Sequence, residues 1–248
     1  MTLEKKLKGV ILAGGTGSRL LPLTRVTNKH LVAVGDYPMI EYPLATLQKI
    51  GITNITVVTG REHAGAVMDY LAQEHPEISF TYKVQKEAGG IAQALALAQD
   101  AVEGYKIAVI LGDNVYANNF SAHAHDFLES GMGAMLFLKS VSNPQRFGVA
   151  EVKEGKVVNI EEKPKEPKSN LAVTGLYFYD TSVFEKIRLL KPSSRGELEV
   201  TDVNLMYVGE KRAACVFVED FWSDAGTRES RRHTEEYVWK SGYKPVHS

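Results

Sequence analysis

The sequence contains a single cysteine and no long hydrophobic run. Cys215, in the apolar run AACVFV, excludes an intrachain disulfide and is predicted to be a small buried hydrophobe. No apolar stretch approaches the roughly 20 residues that span a bilayer. The lysine-rich start also lacks the apolar core and cleavage site of a secretory signal. These absences favour a cytoplasmic protein without a membrane partner.

The chain also lacks an excess of charge of either sign. Its 248 residues include 29 basic and 30 acidic side chains, so nucleic acid is a poor partner. The charge is unevenly distributed, however, because residues 1–30 contain six basic side chains and one acidic side chain. This basic start either binds a small anion or is an ordinary solvated segment.

Hydrophobic periodicity predicts an α/β fold. Runs such as VILA and IAVIL are continuously apolar, as in strands covered on both faces, and they alternate with helical patterns, including one over residues 90–101. From residue 133 strands follow in quick succession, which predicts antiparallel strands added to one side of the sheet. We therefore expect a Rossmann-like mixed, mostly parallel sheet flanked by helices, with an embedded β-rich lobe. Short loops predict one domain over residues 1–248, divided into 1–132, 133–226 and a closing helix and tail at 227–248.

A glycine cluster directly follows the first predicted strand. Residues 12–20 read LAGGTGSRL, and glycines there allow backbone N–H groups to close on a phosphate. A Walker A loop is excluded because Gly-Lys-Ser/Thr is absent, and a dinucleotide fingerprint is excluded because Leu20 stands at the third glycine. A tight turn is the alternative. Two cations, Arg19 and Lys29, favour the phosphate-binding interpretation.

Several motifs together resemble the sugar-nucleotide pyrophosphorylase family, and especially its glucose-1-phosphate thymidylyltransferases. The resemblance covers residues 8 to about 228. Its motifs are GVILAGGTGSRLLPLT, NKHL, YPMIEYPLATLQKIGI, YKVQKEAGGIAQAL, VILGDN, RFGVAE, EEKPKEPKSNLAVTGLYFYD, SSRGELEVTDVN and FWSDAGT. Residues 228–248 leave room for one helix, so we expect a short form without the longer carboxyl-terminal helical region of many relatives.

The resemblance implies a nucleotide site in the first half of the chain. The Gln85 amide can donate to and accept from the imide edge of thymine or uracil. Gly89 and Gly90 stand where some members carry Asp-Gly, which leaves base contacts near position 89 open. The implied nucleotide-binding residues are Leu12, Ala13, Gly14, Gly15, Thr16, Gly17, Arg19, Lys29, Gln85, Gly90 and Asp113.

The resemblance also implies a sugar-phosphate site in the β-rich stretch. Adjacent strand residues point to opposite faces, so Glu162 and Lys163 can share a ligand only if the strand ends there, as Pro164 indicates. Trp222 either lines the sugar site or is a core or interface residue. The implied sugar-phosphate residues are Asn114, Gly148, Glu162, Lys163, Val173 and Arg195, with the glycine of VTG beside them.

Two aspartates are implied as ligands of Mg²⁺, the expected cofactor. Asp113 ends the predicted strand IAVILG and Asp224 lies in WSDAGT, and carboxylate oxygens suit this hard cation. The spacing alone does not pair them. The implied reaction joins dTTP and glucose 1-phosphate into dTDP-glucose and pyrophosphate, with Arg19, Lys29 and Lys163 as catalytic cations. The product would feed dTDP-rhamnose and cell-surface polysaccharide synthesis.

Other functions remain open. UTP or CTP could replace dTTP, because a single methyl group contributes only about 1 kcal/mol to binding. A glycosyltransferase and a catalytically silent nucleotide-sugar sensor are more distant alternatives. Family members are usually homotetramers, and the segment GLYFYD and the last helix with Tyr237 and Trp239 are candidate interfaces. His123 and His125 are two apart, cannot chelate as an i, i+4 pair, and are predicted to be surface residues.

Overall fold

The structure is a computed structural model that describes residues 6–245; Glu4 and Lys5 of the basic start lie outside this range. Its strands are β1 (Leu7–Ala13), β2 (Ala33–Val34), β3 (Tyr37–Pro38), β4 (Asn54–Gly60), β5 (Ser79–Gln85), β6 (Lys106–Leu111), β7 (Asn114–Tyr116), β8 (Ala134–Ser140), β9 (Gly148–Lys153), β10 (Lys156–Glu162), β11 (Leu171–Tyr179), β12 (Ala213–Phe217) and β13 (Trp222–Asp224). Its α-helices are α1 (Glu41–Ile50), α2 (Ala64–Glu74), α3 (Ile91–Ala96), α4 (Ser121–Glu129), α5 (Val183–Leu189), α6 (Val200–Gly209) and α7 (Arg228–Ser241).

A nine-stranded mixed sheet forms the centre of the fold. Its main path runs β10-β9-β11-β6-β1-β4-β5, and β8 and β12 join it through β11. The pairs β6–β1, β1–β4 and β4–β5 are parallel, whereas β11 runs antiparallel to β6. The predicted α/β class and the predicted antiparallel extension on one side of the sheet are therefore confirmed.

Helices cover both faces of the sheet, which explains why the strands are continuously apolar. In β1, Leu7 and Ile11 pack into the core on one face, and Val10 and Leu12 pack into the core on the other. All four side chains are buried. Burial on both faces removes the alternation of polar and apolar residues that a one-sided strand would show.

Some local predictions differ from the structure. The helix predicted over residues 90–101 is α3 followed by a 3₁₀ turn at Gln99–Val102, because the chain tightens into i→i+3 hydrogen bonds at Leu97 and Ala98. Residues 175–179 of the segment GLYFYD lie in β11 and Asp180 follows the strand; the large side chains of the segment are buried, so they cannot form a subunit interface. Cys215, predicted to be a small buried hydrophobe, is only half-buried because β12 lies at the end of the sheet beyond β8, where none of the residues of β12 is fully buried.

The closing helix α7 begins with a capping box. The Thr227 side chain accepts from the Ser230 backbone N–H at 3.1 Å, and the Ser230 hydroxyl accepts from the Thr227 N–H at 3.1 Å. Val238 of α7 is buried in a small core that also contains Leu20 and Val34. Among residues 6–245, no helix has the length and apolarity needed to cross a membrane.

Candidate active site

Two adjoining cavities open at the carboxyl ends of β1 and β6. The first, here the loop cavity, has a volume of about 300 Å³ and lies against the glycine loop. The second, here the lobe cavity, has a volume of about 170 Å³ and lies against β9, β10, β11 and α6. Arg19, Asp113 and Lys163 line both cavities. The carboxyl edge of a sheet is where open α/β folds bind ligands.

The glycines of the loop allow close approach of functional side chains. A Cβ at Gly14 would lie 2.6 Å from the Gln85 Oε1, so only glycine there lets this amide approach the loop. Gly17 has a φ of 65°, and a Cβ there would lie 2.9 Å from the Lys29 Cβ. The loop therefore brings Gln85 and Lys29 to one cavity.

Most of the residues predicted to bind a nucleotide meet in the loop cavity. Its lining includes Leu12, Gly14, Gly15, Arg19, Lys29, Gln85, Gly90 and Asp113. Three predicted residues do not line it. Ala13 is buried in the core, Thr16 faces a neighbouring surface hollow beside Gln85, and Gly17 packs beneath Lys29 and Thr24. The loop turns at Gly15, which has a φ of 92°, so its residues point in different directions.

Asp113 is a buried carboxylate paired with Lys29. The Lys29 Nζ lies 2.9 Å from the Asp113 Oδ2, and both side chains are largely buried. Burial raises the pKa of Asp113, but the charge of Lys29 and hydrogen bonds from Lys29 and Asn114 outweigh it and hold the pKa well below its usual range. Asp113 is therefore an anion throughout the neutral range.

The pairing of β13 with β7 brings Asp224 beside Asp113. Asp224 is opposite Asn114 in this ladder, and the Ala225 N–H donates to the Asp113 backbone oxygen at 2.7 Å. Burial, followed by the charge of Asp113, raises the pKa of Asp224 to about 6. A Cβ at Gly226 would lie 2.7 Å from the Asp113 Oδ2, so this close approach requires glycine.

This carboxylate pair fits a divalent cation. The charge of Asp113 raises the pKa of the partly buried Asp224, so a cation between the two carboxylates would offset their repulsion, and carboxylate oxygens are the ligands of hard cations. Within residues 6–245, no group of three or more His, Cys, Asp or Glu side chains forms a complete metal cage. A pair with open positions suits Mg²⁺, which is usually held by one or two carboxylates together with substrate phosphates and water.

The predicted sugar-phosphate residues meet in the lobe cavity, with one exception described below. Its lining includes Asn114, Gly148, Glu162, Lys163 and Val173. The strand β10 ends at Glu162, and Lys163 has a left-handed backbone with a φ of 46°. This turn brings two adjacent side chains to one cavity, as expected from Pro164. A left-handed lysine costs about 1 kcal/mol or more, and such strain is often found at functional sites.

Arg195 is the exception. Its Nη2 lies 2.8 Å from both carboxylate oxygens of Glu199, and it is 3.3 Å from the Glu162 Oε1. It lines neither of the two cavities. The physical reason is the set of three carboxylates around its Nη2, those of Glu162, Glu197 and Glu199 at 2.8 to 3.4 Å, which neutralise the guanidinium and hold it outside both cavities.

Arg146 takes a position that the sequence does not single out. Its Nη2 lies 3.0 Å from the Asp224 Oδ2, and the side chain lines the lobe cavity. The only sequence signal is its place before Phe147 and Gly148 in the motif RFG. Trp222 also lines this cavity, where its Nε1 donates to the Asn114 Oδ1 at 2.7 Å. Trp222 is therefore both a wall of the cavity and part of the core.

Two histidines, His30 and His123, pack against other residues of the protein and do not lie free on its surface. His30 is fully buried beneath Gly112, where burial holds its pKa well below its usual range and keeps it neutral. His123, predicted to be a surface residue, packs against Phe120 and Phe137 because helix α4 lies on the sheet. His125 is exposed, as predicted.

Comparison with known proteins decides the family. The profile described as nucleotidyl transferase matches residues 8–239, almost the whole chain. The chain belongs to the nucleotidyl transferase family. Members of this family generally use a divalent metal, which agrees with the paired carboxylates of Asp113 and Asp224.

Relatives of this nucleotidyl transferase have a more specific name. A protein of Neisseria meningitidis named glucose-1-phosphate thymidylyltransferase is 41% identical over 94% of this chain and 82% of its own length. One of Mycobacterium tuberculosis with the same name is 38% identical over the same shares. The chain is therefore similar over nearly its full length to curated sugar-phosphate nucleotidyltransferases.

Solved structures share the fold of this nucleotidyl transferase. A Bacillus anthracis protein assigned as a glucose-1-phosphate thymidylyltransferase, solved with a sucrose, is 48% identical with a TM-score of 0.89 and covers 94% of this chain and 95% of its own. A UDP-glucose pyrophosphorylase solved with UDP-glucose has a TM-score of 0.85 at 22% identity and covers 95% of this chain and 99% of its own, so it supports the fold alone.

Proposed function

We propose that this enzyme transfers a thymidylyl group from dTTP to glucose 1-phosphate and forms dTDP-glucose and pyrophosphate. The observation that carries the proposal is that two adjoining cavities share Arg19, Asp113 and Lys163 in their linings, with Asp224 beside Asp113. A nucleotidyl transfer needs two anionic substrates in contact, and this arrangement provides a compartment for each. Relatives named for this reaction, 38% to 41% identical to the chain, support the choice of substrates.

In this proposal the loop cavity binds dTTP. Gln85 contacts the base edge, Gly14, Gly15 and Gly90 allow close approach of the nucleotide, and Leu12 packs beside it. Arg19 neutralises the departing pyrophosphate and Lys29 holds the triphosphate, since both cations line this cavity. Ala13, Thr16 and Gly17 contribute through the course of the loop and its backbone N–H groups.

The lobe cavity binds glucose 1-phosphate in this proposal. Glu162 accepts from sugar hydroxyls, Gly148 and Val173 allow the sugar ring to approach, and the buried Asn114 is part of the cavity lining. Lys163 holds the sugar phosphate, and Arg146, which lines the same cavity, adds a further cation to Lys163 and Arg19. Arg195 reaches the phosphate only after releasing Glu199, so we assign it a secondary part in binding.

The chain supplies no nucleophile in this reaction. A phosphate monoester is already nucleophilic at neutral pH, so the protein has to align two anions and offset their repulsion. Asp113 and Asp224 would hold Mg²⁺, which supplies charge neutralisation and orientation at the two phosphates when bound. Lys29 keeps the Asp113 carboxylate ionised and in place before substrates arrive.

A substrate grid tests this proposal. Pyrophosphate release is measured with dTTP, UTP, CTP and ATP against the 1-phosphates of glucose, galactose and glucosamine, each with and without Mg²⁺. We expect the fastest release with dTTP and glucose 1-phosphate and only in the presence of the metal. Faster release with UTP or CTP would replace the nucleotide assignment. Binding without release from any pair would favour a silent sensor, and a free nucleoside diphosphate product would favour a glycosyltransferase.

We further propose that one domain contains parts with different functions. Residues 1–132 supply the nucleotide site, residues 133–226 the sugar-phosphate site and residues 227–248 the closing helix and tail.

We also propose that the protein is a cytoplasmic homotetramer. The exposed Trp239 of α7 supports a subunit interface at this helix, since 63% of the surface of its side chain is uncovered. Light scattering with wild-type protein and Trp239→Glu tests the assembly. A wild-type mass of one subunit would contradict it.

A further inference from the structure

Gln93, in the first turn of α3, contacts the proposed base-binding residue. Its Oε1 accepts from the Gln85 Nε2 at 2.8 Å and also from the Gly89 backbone N–H at 3.0 Å. A Cβ at Gly89 would lie 2.4 Å from the Gln93 amide, so glycine at this position makes room for the contact. The Gly-Gly pair before α3 therefore accommodates a side chain that holds Gln85.

This arrangement fixes the orientation of two side-chain amides. A backbone N–H can only donate, so the Gln93 amide must present its oxygen to Gly89. The group of Gln85 that meets this same oxygen must then be its NH₂. The Gln85 Oε1 consequently lies on the other side, next to Gly14 at the edge of the loop cavity. The Gly89 N–H therefore fixes the orientation of the Gln93 amide, and the Gln93 amide fixes that of the Gln85 amide.

We propose that Gln93 is a positioning residue for base selection, which makes the cleft favour an imide edge, as in thymine or uracil, over cytosine. The inference rests on the proposed function, in which Gln85 contacts the base. The imide N–H donates and needs an acceptor, whereas the corresponding ring nitrogen of cytosine accepts and needs a donor. A fixed Gln85 amide matches only one of these edges at a given base position. A free amide can rotate and match either.

A comparison of dTTP with dCTP measures base selection separately from the other contacts of the nucleotide. The ratio of kcat/KM for dTTP to that for dCTP is measured with glucose 1-phosphate, because the two nucleotides share their sugar and triphosphate and differ in the base. Wild-type protein is compared with Gln93→Met, which has a similar length but no amide, and with Gln93→Glu, whose carboxylate still accepts from both donors. Because each ratio is internal to one variant, a partly unfolded preparation does not alter it.

We expect wild type to prefer dTTP, Gln93→Met to reduce the ratio about tenfold, and Gln93→Glu to keep most of it. Gln93→Ala replaces Gln93→Met if the latter does not fold. Equal loss for both nucleotides in Gln93→Met would indicate a merely structural role and overturn the proposal, as would a loss of the ratio in Gln93→Glu. A wild-type enzyme without preference for dTTP over dCTP would also overturn it.

Failure of the proposed function would be recognised separately. If wild type releases no pyrophosphate from either nucleotide, the catalytic assignment fails. The affinities of the same three proteins for dTTP and dCTP are then measured by calorimetry, with the same expected order of ratios. An affinity ratio unchanged by Gln93→Met would overturn the positioning role, and a reduced ratio would support it.

Discussion

The Lys29 Nζ lies 2.9 Å from the Asp113 Oδ2 and joins two residues that are 84 positions apart. Lys29 follows the glycine loop after β1, and Asp113 follows β6. Because β1 and β6 are parallel neighbours, their carboxyl ends meet at the same edge of the sheet. The ion pair therefore connects the proposed triphosphate site to the proposed metal site.

Asp113→Asn should reduce kcat by about 10³-fold while leaving the fold intact. The amide retains the shape of the side chain but removes the negative charge that holds a cation. Pyrophosphate release and circular dichroism are the measurements. Asp100→Asn is the matched control, since it removes an Asp–Lys pair on the surface, where Lys83 lies 2.6 Å from Asp100. Near-normal turnover of Asp113→Asn would remove Asp113 from the metal assignment.

Arg146→Ala should lower kcat/KM for glucose 1-phosphate by about 10- to 100-fold. Arg146 orients Asp224 and also contributes a cation to the lobe cavity, so its loss affects both functions. Steady-state kinetics at varied sugar phosphate check this result. Arg188→Ala, exposed in α5, should change nothing. Unchanged kinetics in Arg146→Ala would show that the ion pair with Asp224 plays no part in the reaction.

Gly175→Ala should destabilise the protein by about 1–3 kcal/mol, as is typical of overpacking. The new Cβ would lie 2.6 Å from the Asn114 Oδ1, which accepts hydrogen bonds from both the Gly175 N–H and the Trp222 Nε1. Displacement of Asn114 should also raise KM for glucose 1-phosphate. Urea denaturation and kinetics measure the two effects.

Gly65→Ala supplies the contrast for the Gly175 variant. Gly65 is exposed within α2 with no atom near the position of a Cβ, so the substitution should stabilise the protein by about 0.4–1 kcal/mol. Equal effects of the two alanines on stability would contradict the importance of the Asn114 contact.

The free energy of unfolding should depend on pH through His75. A hydrogen bond to the buried Glu41, at 2.9 Å, raises the pKa of His75 above its ordinary value in the folded protein. Protonation of His75 in the folded protein therefore stabilises the fold. This stabilisation is fully present below the unfolded pKa of about 6.5 and is lost as the pH rises through the higher pKa of the folded protein. Wild type should lose more stability than His75→Gln between pH 6 and pH 9 in urea denaturation. Parallel losses would mean that the pair with Glu41 does not favour protonation.

Strand and helix assignments could be predicted from sequence because they depend on local periodicity. The run VILA in β1 is apolar throughout since helices cover both faces of the sheet, and the pattern alone indicates this burial. The extent of α3 could not be predicted in the same way. Its Ala- and Leu-rich segment favours a helix, yet its last part is a 3₁₀ turn at Gln99–Val102. Intrinsic propensity does not specify where i→i+4 bonding gives way to i→i+3 bonding.

The sequence by itself determined the α/β class, the glycine loop and the set of candidate acids and cations. Only the tertiary structure decided which of them meet. Strand pairing brings Asp224 to Asp113, and side-chain competition keeps Arg195 on Glu199 while Arg146 enters the cavity. Local sequence patterns indicate burial and backbone preference. Contacts between distant residues depend instead on the order of strands in the sheet and on which of several nearby partners a charged side chain binds. The candidate acids and cations can therefore be identified from the sequence, whereas their pairing depends on the fold.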